Sequence, residues 1–180
     1  MQVRQISRLL LGLALLPLLA QAAGKCERLI VTGSPDSPPY LWRDPADPSH
    51  LIGASADLFQ QVAQELGIKA EVLYAGNRAQ ALDEVRTGRM DMLLDAPLTA
   101  DGRASLDYIY PPMVHNDYWA WTDLFLAVSH DSACNEPWLR GQLAQKMTEL
   151  PASGLSEAAL QRNLERWKTQ LQQPLSAPKQ

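Results

Sequence analysis

Apolar and polar positions change period several times along this chain, and each change marks an element. ERLIVTG (Glu27 to Gly33) is a short β-branched run closed by glycine, which predicts a buried strand. SPDSPPYLWRDPADPSH follows, and its density of proline, aspartate and serine predicts a loop. In GASADLFQQVAQELG the period becomes helical, with Leu58, Phe59, Val62 and Leu66 on one stripe. Ser55 is the expected N-cap, Asp57 stands in the first turn, and Gly67 is the stop. KAEVLYA reads as a second strand, and NRAQALDEVRTGR as a helix from an asparagine cap to Gly88. MDMLLD reads as a third strand, apolar in its middle as a strand covered on both faces would be.

After Arg103, ASLDYIYPPMVHNDYWAWT predicts a short helical turn and then extended chain, and LFLAVS another strand. NEPWLRGQLAQKMTEL places Leu139, Leu143, Met147 and Leu150 on one helical face with Asn135 as cap. GLSEAALQRNLERWKTQL does the same with Leu160, Leu164, Trp167 and Leu171. From Gln172 the chain is polar and proline-containing, so residues 172–180 are expected to be a disordered tail. Strand, helix, strand, helix, strand in this order implies an α/β fold, a mainly parallel sheet flanked by helices, with further helices at the C-terminus.

The first residues change the picture of where the protein works. Arg4 and Arg8 precede an apolar run from Leu9 to Ala20, and small residues follow in AQAAG. That pattern is a secretory signal peptide, assigned to residues 1–22. The apolar run is shorter than the ~20 residues a membrane-spanning helix needs. About 158 residues then remain, enough for one domain with a real core. Cleavage lowers the basic count from 16 to 14 against 20 acidic residues, which excludes a nucleic-acid footprint. Export and a mildly acidic surface argue for a soluble periplasmic protein with no integral membrane segment after cleavage. Two cysteines in an oxidising compartment, Cys26 and Cys134, read as a disulfide, with two unpaired thiols as the alternative.

Enzyme chemistry finds little support. His50, His115 and His130 are scattered without metal-binding spacing, and no GxSxG or Cys–His arrangement stands out. Asp91 and Asp95 point the same way on a predicted strand, and a carboxylate pair can do acid–base work. Solvated aspartates at strand ends are the alternative. The chain therefore reads as a non-enzyme, with no cofactor and no metal.

VTGSPDSPPYLW, LIGASADLFQQVAQELG, ALDEVRTGRMDMLL, LTADGRASLDYIYPP and LFLAVSHDSACNEPWLRGQLAQKMTEL occur in an order that resembles a known family. It is the extracellular solute-binding proteins of family 3, the polar amino-acid receptors of bacterial ABC importers. The resemblance covers nearly the whole chain after the signal. It implies two α/β lobes around a cleft, with the chain crossing between them twice. The first lobe would combine the N-terminal and C-terminal parts of the sequence, and the second would be the middle. Here the N-terminal part runs to the first crossing near DYWAWT and the chain resumes at LFLAVS, so the middle is absent. On that reading residues 23–171 form one lobe, with 23–122 joined to 123–171. Crossing strands run near each other in such folds, so a short connection would close the gap.

The resemblance also implies site residues. An aromatic in the PPY loop would stack on the ligand, which points to Tyr40 with Trp42 nearby. Covering a core edge is the alternative for Tyr40. An arginine three residues after a threonine and six before an aromatic would grip the ligand's carboxylate. Thr99 and Tyr108 both point to position 102, which is Gly102. Arg103 is next door, about 100° round a helical turn, so its fork need not face the cleft. Position 95, small in the family, is Asp95, which would repel an anion, bind a cation, or serve as a cap. The acidic residue that holds a ligand's amino group would come from the absent lobe, and cleft closure is unavailable to one lobe. The expected function is substrate binding related to amino-acid ABC import, with a small polar solute such as an amino acid held weakly. The alternative is a protein-interaction module, or a non-functional remnant. Its hinge face, with Tyr110, Tyr118, Trp119 and Trp121, would serve a homodimer or a protein partner.

Overall fold

The computed structural model describes residues 26–114 and 123–172. The expected signal peptide, His115, the hinge aromatics Tyr118, Trp119 and Trp121, and the tail beyond Gln172 lie outside the described residues. In chain order the elements are β1 (Arg28–Thr32), β2 (Asp36–Ser37), β3 (Leu41–Arg43), β4 (Leu51–Ile52), α1 (Ala54–Glu65), β5 (Lys69–Val72) and α2 (Arg78–Arg86). They continue with β6 (Met92–Pro97), α3 (Ala100–Arg103), β7 (Leu106–Val114), β8 (Leu124–Ser129), α4 (Pro137–Ser153) and α5 (Leu155–Gln172).

The main sheet has the order β5-β1-β6-β8-β7. β1 is parallel to both β5 and β6, whereas β8 is antiparallel to β6 and to β7. Only β8 therefore runs against its neighbours, and the sheet is mostly parallel. Side chains alternate between two cores. Leu29, Val31, Met92, Leu94, Leu126 and Val128 pack with α1, α4 and α5. Leu93, Ala96, Leu106 and Ala127 pack with Ala81 and Val85 of α2. Phe59, Leu94 and Leu126 are fully buried, each worth roughly 1.5–3 kcal/mol of transfer free energy. Leu139, Leu143, Met147 and Leu150 are buried, so the α4 stripe lies where the helical period puts it.

β7 and β8 are hydrogen-bonded neighbours, paired from Leu106 with Ser129 to Val114 with Leu124. The chain before residues 115–122 thus docks directly onto the chain after them. Between Ile109 and Val114 the register shifts, where Pro111 and Pro112 have no N–H to give the ladder. Cys26, just before β1, is bonded to Cys134, just before α4, across a separation of 108 residues. No helix among the described residues is long and apolar enough to cross a membrane.

Five local expectations change. The predicted proline-rich loop carries a small antiparallel sheet, β2-β3-β4, whose strands of two or three residues are too short to show alternation. The cap of α1 is Gly53 rather than Ser55, which lies buried inside the helix. The first-turn N–H groups of Ala54 and Ser55 donate to the carbonyls of Pro39 and Tyr40, both at 3.0 Å, so the loop backbone does the work of a side-chain cap. Gly53 has φ 137°, and a Cβ there would overlap the Tyr40 carbonyl and stand 2.9 Å from Leu41 Cα. Asn135 does not cap α4, whose N-cap is Glu136. Its amide donates instead to Asp107 Oδ2 at 2.8 Å and to the Ser129 carbonyl at 2.9 Å. On α5 the buried face centres on Ala159 and Asn163, while Leu171 is 65% exposed. The helix also extends to Gln172, one residue into the expected tail.

Candidate functional site

Parallel strands deliver their C-terminal ends, and the N-termini of the helices that follow, to one end of a sheet. Here β1 ends at Thr32, β6 ends at Pro97, and α2 and α3 begin beside them. The start of α2 is set by a reciprocal cap. Asn77 Oδ1 accepts the Gln80 N–H at 3.0 Å, and Gln80 Oε1 accepts the Asn77 N–H at 2.9 Å. That cap fixes Arg78 in the first helical position.

Asp95, near the end of β6, is 7% exposed. Both its oxygens accept the Ser34 N–H, at 3.1 and 3.0 Å, and Oδ2 lies 3.8 Å from Arg78 Nη2. Burial pushes the Asp95 carboxyl above the ordinary aspartate range, with Arg78 and the Ser34 N–H opposing that rise. Asp91 has a different task at the other end of the strand. It accepts the Ile30 N–H at 2.8 Å and the Ser132 hydroxyl at 2.6 Å. The two aspartates are thus separate tethers rather than an acid–base pair.

Thr99 caps α3, its hydroxyl accepting the Gly102 N–H at 2.9 Å. Gly102 is buried in that turn, and Arg103 beside it is exposed. A Cβ at position 102 would overlap Tyr108 Oη and stand 2.9 Å from Thr99 Oγ1. The tyrosine hydroxyl donates to the Pro97 carbonyl at 3.1 Å. Tyr108 therefore fills the space from which a side chain at 102 would start.

The structure brings Thr99, Gly102, Arg103 and Tyr108 together and places the loop aromatics elsewhere. Tyr40 lines a mostly apolar cavity of about 300 Å³ with Leu58, Pro111, Met147, Leu150 and Leu160. Trp42 is 3% exposed. Its indole N–H donates to Gln170 Oε1 at 2.9 Å, and its ring meets Trp167 edge-on at 5.7 Å. Trp42 is thus committed to holding α5. Sequence reasoning passed over Ser34 and Arg78. Arg78 was visible as the residue after a helix cap, but its nearness to Asp95 is a tertiary fact.

The fold has solved relatives. Domain 1 from TmArgBP, in its arginine-bound form, is similar over 68% of this chain and 93% of that one, with 17% identity and a TM-score of 0.54. An amino acid ABC transporter substrate-binding protein from Streptococcus pneumoniae bound to L-arginine covers 77% and 94%, with 13% identity and a TM-score of 0.61. A putative binding component of an ABC transporter from Wolinella succinogenes complexed with lysine covers 76% and 95%, with 10% identity and a TM-score of 0.60. At these identities the likeness is one of fold. No curated protein matches the chain. The sequence profile of the bacterial extracellular solute-binding proteins, family 3, matches residues 29–166, and with the mostly parallel sheet and its helices this establishes that the chain belongs to that family of binding proteins.

Proposed function

We propose that this chain is an exported, one-lobe receptor that holds a small polar solute, an amino acid in the first instance, weakly and from one side. The observation that carries this reading is the pairing of Val114 with Leu124. It lets the chain continue from β7 to β8 within one sheet, leaving the polar strand ends near Thr99 and Arg103 without a facing lobe. The basic, apolar and small-residue order at the N-terminus supports export to the periplasm. Domain 1 from TmArgBP has an arginine-bound form, which supports amino-acid binding by a single domain of this fold. Low affinity follows from one-sided contact, since millimolar binding amounts to only ~4 kcal/mol. The glycine at position 102 lowers it further by removing the arginine that the family pattern places there.

Thermal melting of the protein against amino acids and other small polar solutes at millimolar concentration tests the reading. A ligand at 100 times its dissociation constant adds ~2.7 kcal/mol, a shift of several degrees for a domain of this size. A melt that no solute moves would remove the receptor reading. A second reading, interaction with a second copy or another protein, is favoured by β7 being an outer strand of the sheet and Tyr110 on it being 50% exposed. Sedimentation of the wild type and of Tyr110→Asp decides it: a wild-type monomer at tens of micromolar, with no partner-dependent mass, excludes it.

A further inference from the structure

We infer that Arg78, held in place by the buried carboxylate of Asp95, is the residue that grips a carboxylate of the solute. The inference rests on the receptor reading above and names its ligand chemistry: a small molecule with at least one free carboxylate.

The first support is place. Asp95 ties the turn after β1, through the Ser34 N–H at 3.0–3.1 Å, to the first residue of α2, through Arg78 at 3.8 Å. All three lie at the end of the sheet where Thr99 opens α3. The second is availability. The Arg78 side chain is 50% exposed, and among the described residues its only polar partner is Asp95 at a distance too long for a good hydrogen bond. Its N–H fork is therefore open to a planar oxyanion, which it can take bidentately.

The third support is that the arrangement is built. In the β6–β8 ladder Leu93 pairs with Ala127 and Ala96 with Phe125, so Leu94 and Asp95 together oppose Leu126. That is a bulge, which re-aims a side chain out of the strict alternation. A carboxylate is costly to bury at a strand end, and an exposed arginine needs no such partner for solvation. The combination makes sense where an arginine's charge must be kept beside one strand end. Meanwhile Tyr108 closes off the starting point for an arginine at position 102. Asp95's own charge works against an incoming anion. Its burial behind Arg78 and its bond to the Ser34 N–H limit that opposition, and the upward push on its carboxyl lessens it further.

Calorimetric titration tests this with L-arginine and L-leucine, each beside its α-amide and its decarboxylated amine, and with succinate beside succinamide. The acids should bind about tenfold tighter than their amides or amines, the scale of a charged hydrogen bond. Arg78→Gln should abolish that preference and Arg103→Gln should keep it. Arg78→Gln leaves a buried charge uncompensated, so the pair Asp95→Asn with Arg78→Gln supplies a variant without that burden, and it should show the same loss. Asp95→Asn alone, titrated where it is fully folded, should reduce the acid-over-amide ratio several-fold, which a purely structural role would not do. A ratio that rises in Asp95→Asn overturns its positioning role. A preference that survives both Arg78 variants, or disappears in Arg103→Gln alone, overturns the inference while the receptor stands. So does a melting shift produced only by solutes without a carboxylate. Absence of any solute-dependent shift removes the receptor reading, and this inference with it.

Discussion

Gly102 and Tyr108 compete for one small volume, and the outcome sets what position 102 can be. A Cβ there would overlap the tyrosine hydroxyl, with Cζ 3.1 Å away. Gly102→Ala should therefore cost about 1–3 kcal/mol of stability, as overpacking does. Tyr108→Phe alone should cost about 1 kcal/mol for its bond to Pro97. Combined, the two should cost clearly less than their sum, because the hydroxyl that obstructs the new methyl is gone. Urea melts of the single and double variants check this, and strict additivity would refute the steric account. Asp95 gives a pH prediction. Its folded-state carboxyl is pushed up by burial, so the native state binds the proton more tightly than the unfolded chain. The Asp95 contribution to stability must then fall as pH rises from about 4 through the raised value. Asp95→Asn removes this dependence. Its stability relative to the wild type should grow with pH over that window and then level off. A relative gain that shrinks with pH would reverse the sign.

At the scale of elements, two helices are held in ways that differ from their apolar patterns. α2 has a thin buried stripe, Ala81 and Val85, and relies on its capping box, so Asn77→Ala should lower stability by about 1 kcal/mol. α5 docks through polar contacts set among its apolar ones. Asn163, 2% exposed, donates to Asp57 Oδ2 at 2.7 Å and to the Ala159 carbonyl at 3.0 Å. Gln170 accepts the Trp42 indole N–H. Asn163→Ala should cost about 1–2 kcal/mol for the lost hydrogen bond to Asp57 and lost packing, whereas Leu171→Ala should stay within about 0.5 kcal/mol. Chemical denaturation of the two variants is the check, and equal costs would contradict the observed face. The leucine stripe of α5 was legible in the sequence, but its centre was not. Asn163 is buried because Asp57 of α1 waits opposite, and no helical period reports a partner on another helix.

For the whole molecule, the Cys26–Cys134 bond closes a separation of 108 residues and joins the start of β1 to the start of α4. It therefore links the part of the chain before the β7–β8 junction to the part after it. Replacing both cysteines by serine should cost about 2–5 kcal/mol, since a long loop is released in the unfolded chain. Comparing denaturation midpoints of this variant with those of the oxidised protein measures the effect, and an unchanged midpoint would deny the bond any part in stability.

Much of this architecture was legible in the sequence because it is written in local periods. The buried β1 and β6, the stripes of α1 and α4, the Asn77 cap and the parallel α/β class all follow from spacing and burial free energy over a few residues. That an extended aromatic run meets a fresh apolar strand was legible as well, and β7 and β8, on either side of residues 115–122, pair in one sheet. Tertiary structure alone decided the rest. Strands of two or three residues have no period, so β2, β3 and β4 exist only through their pairing. Gly53 caps α1 because the Tyr40 carbonyl is there to accept. Trp42 and Tyr40, two positions apart in the chain, part company because Trp167 and Gln170 of α5 claim the indole, whereas Tyr40 lines the cavity among α1, β7, α4 and the start of α5. Asp95 and Arg78 meet because a bulge in β6 and the capped start of α2 bring an aspartate and an arginine, seventeen positions apart, to the same strand end. Local free energies select the elements, whereas contacts between distant residues determine which side chains remain free to bind.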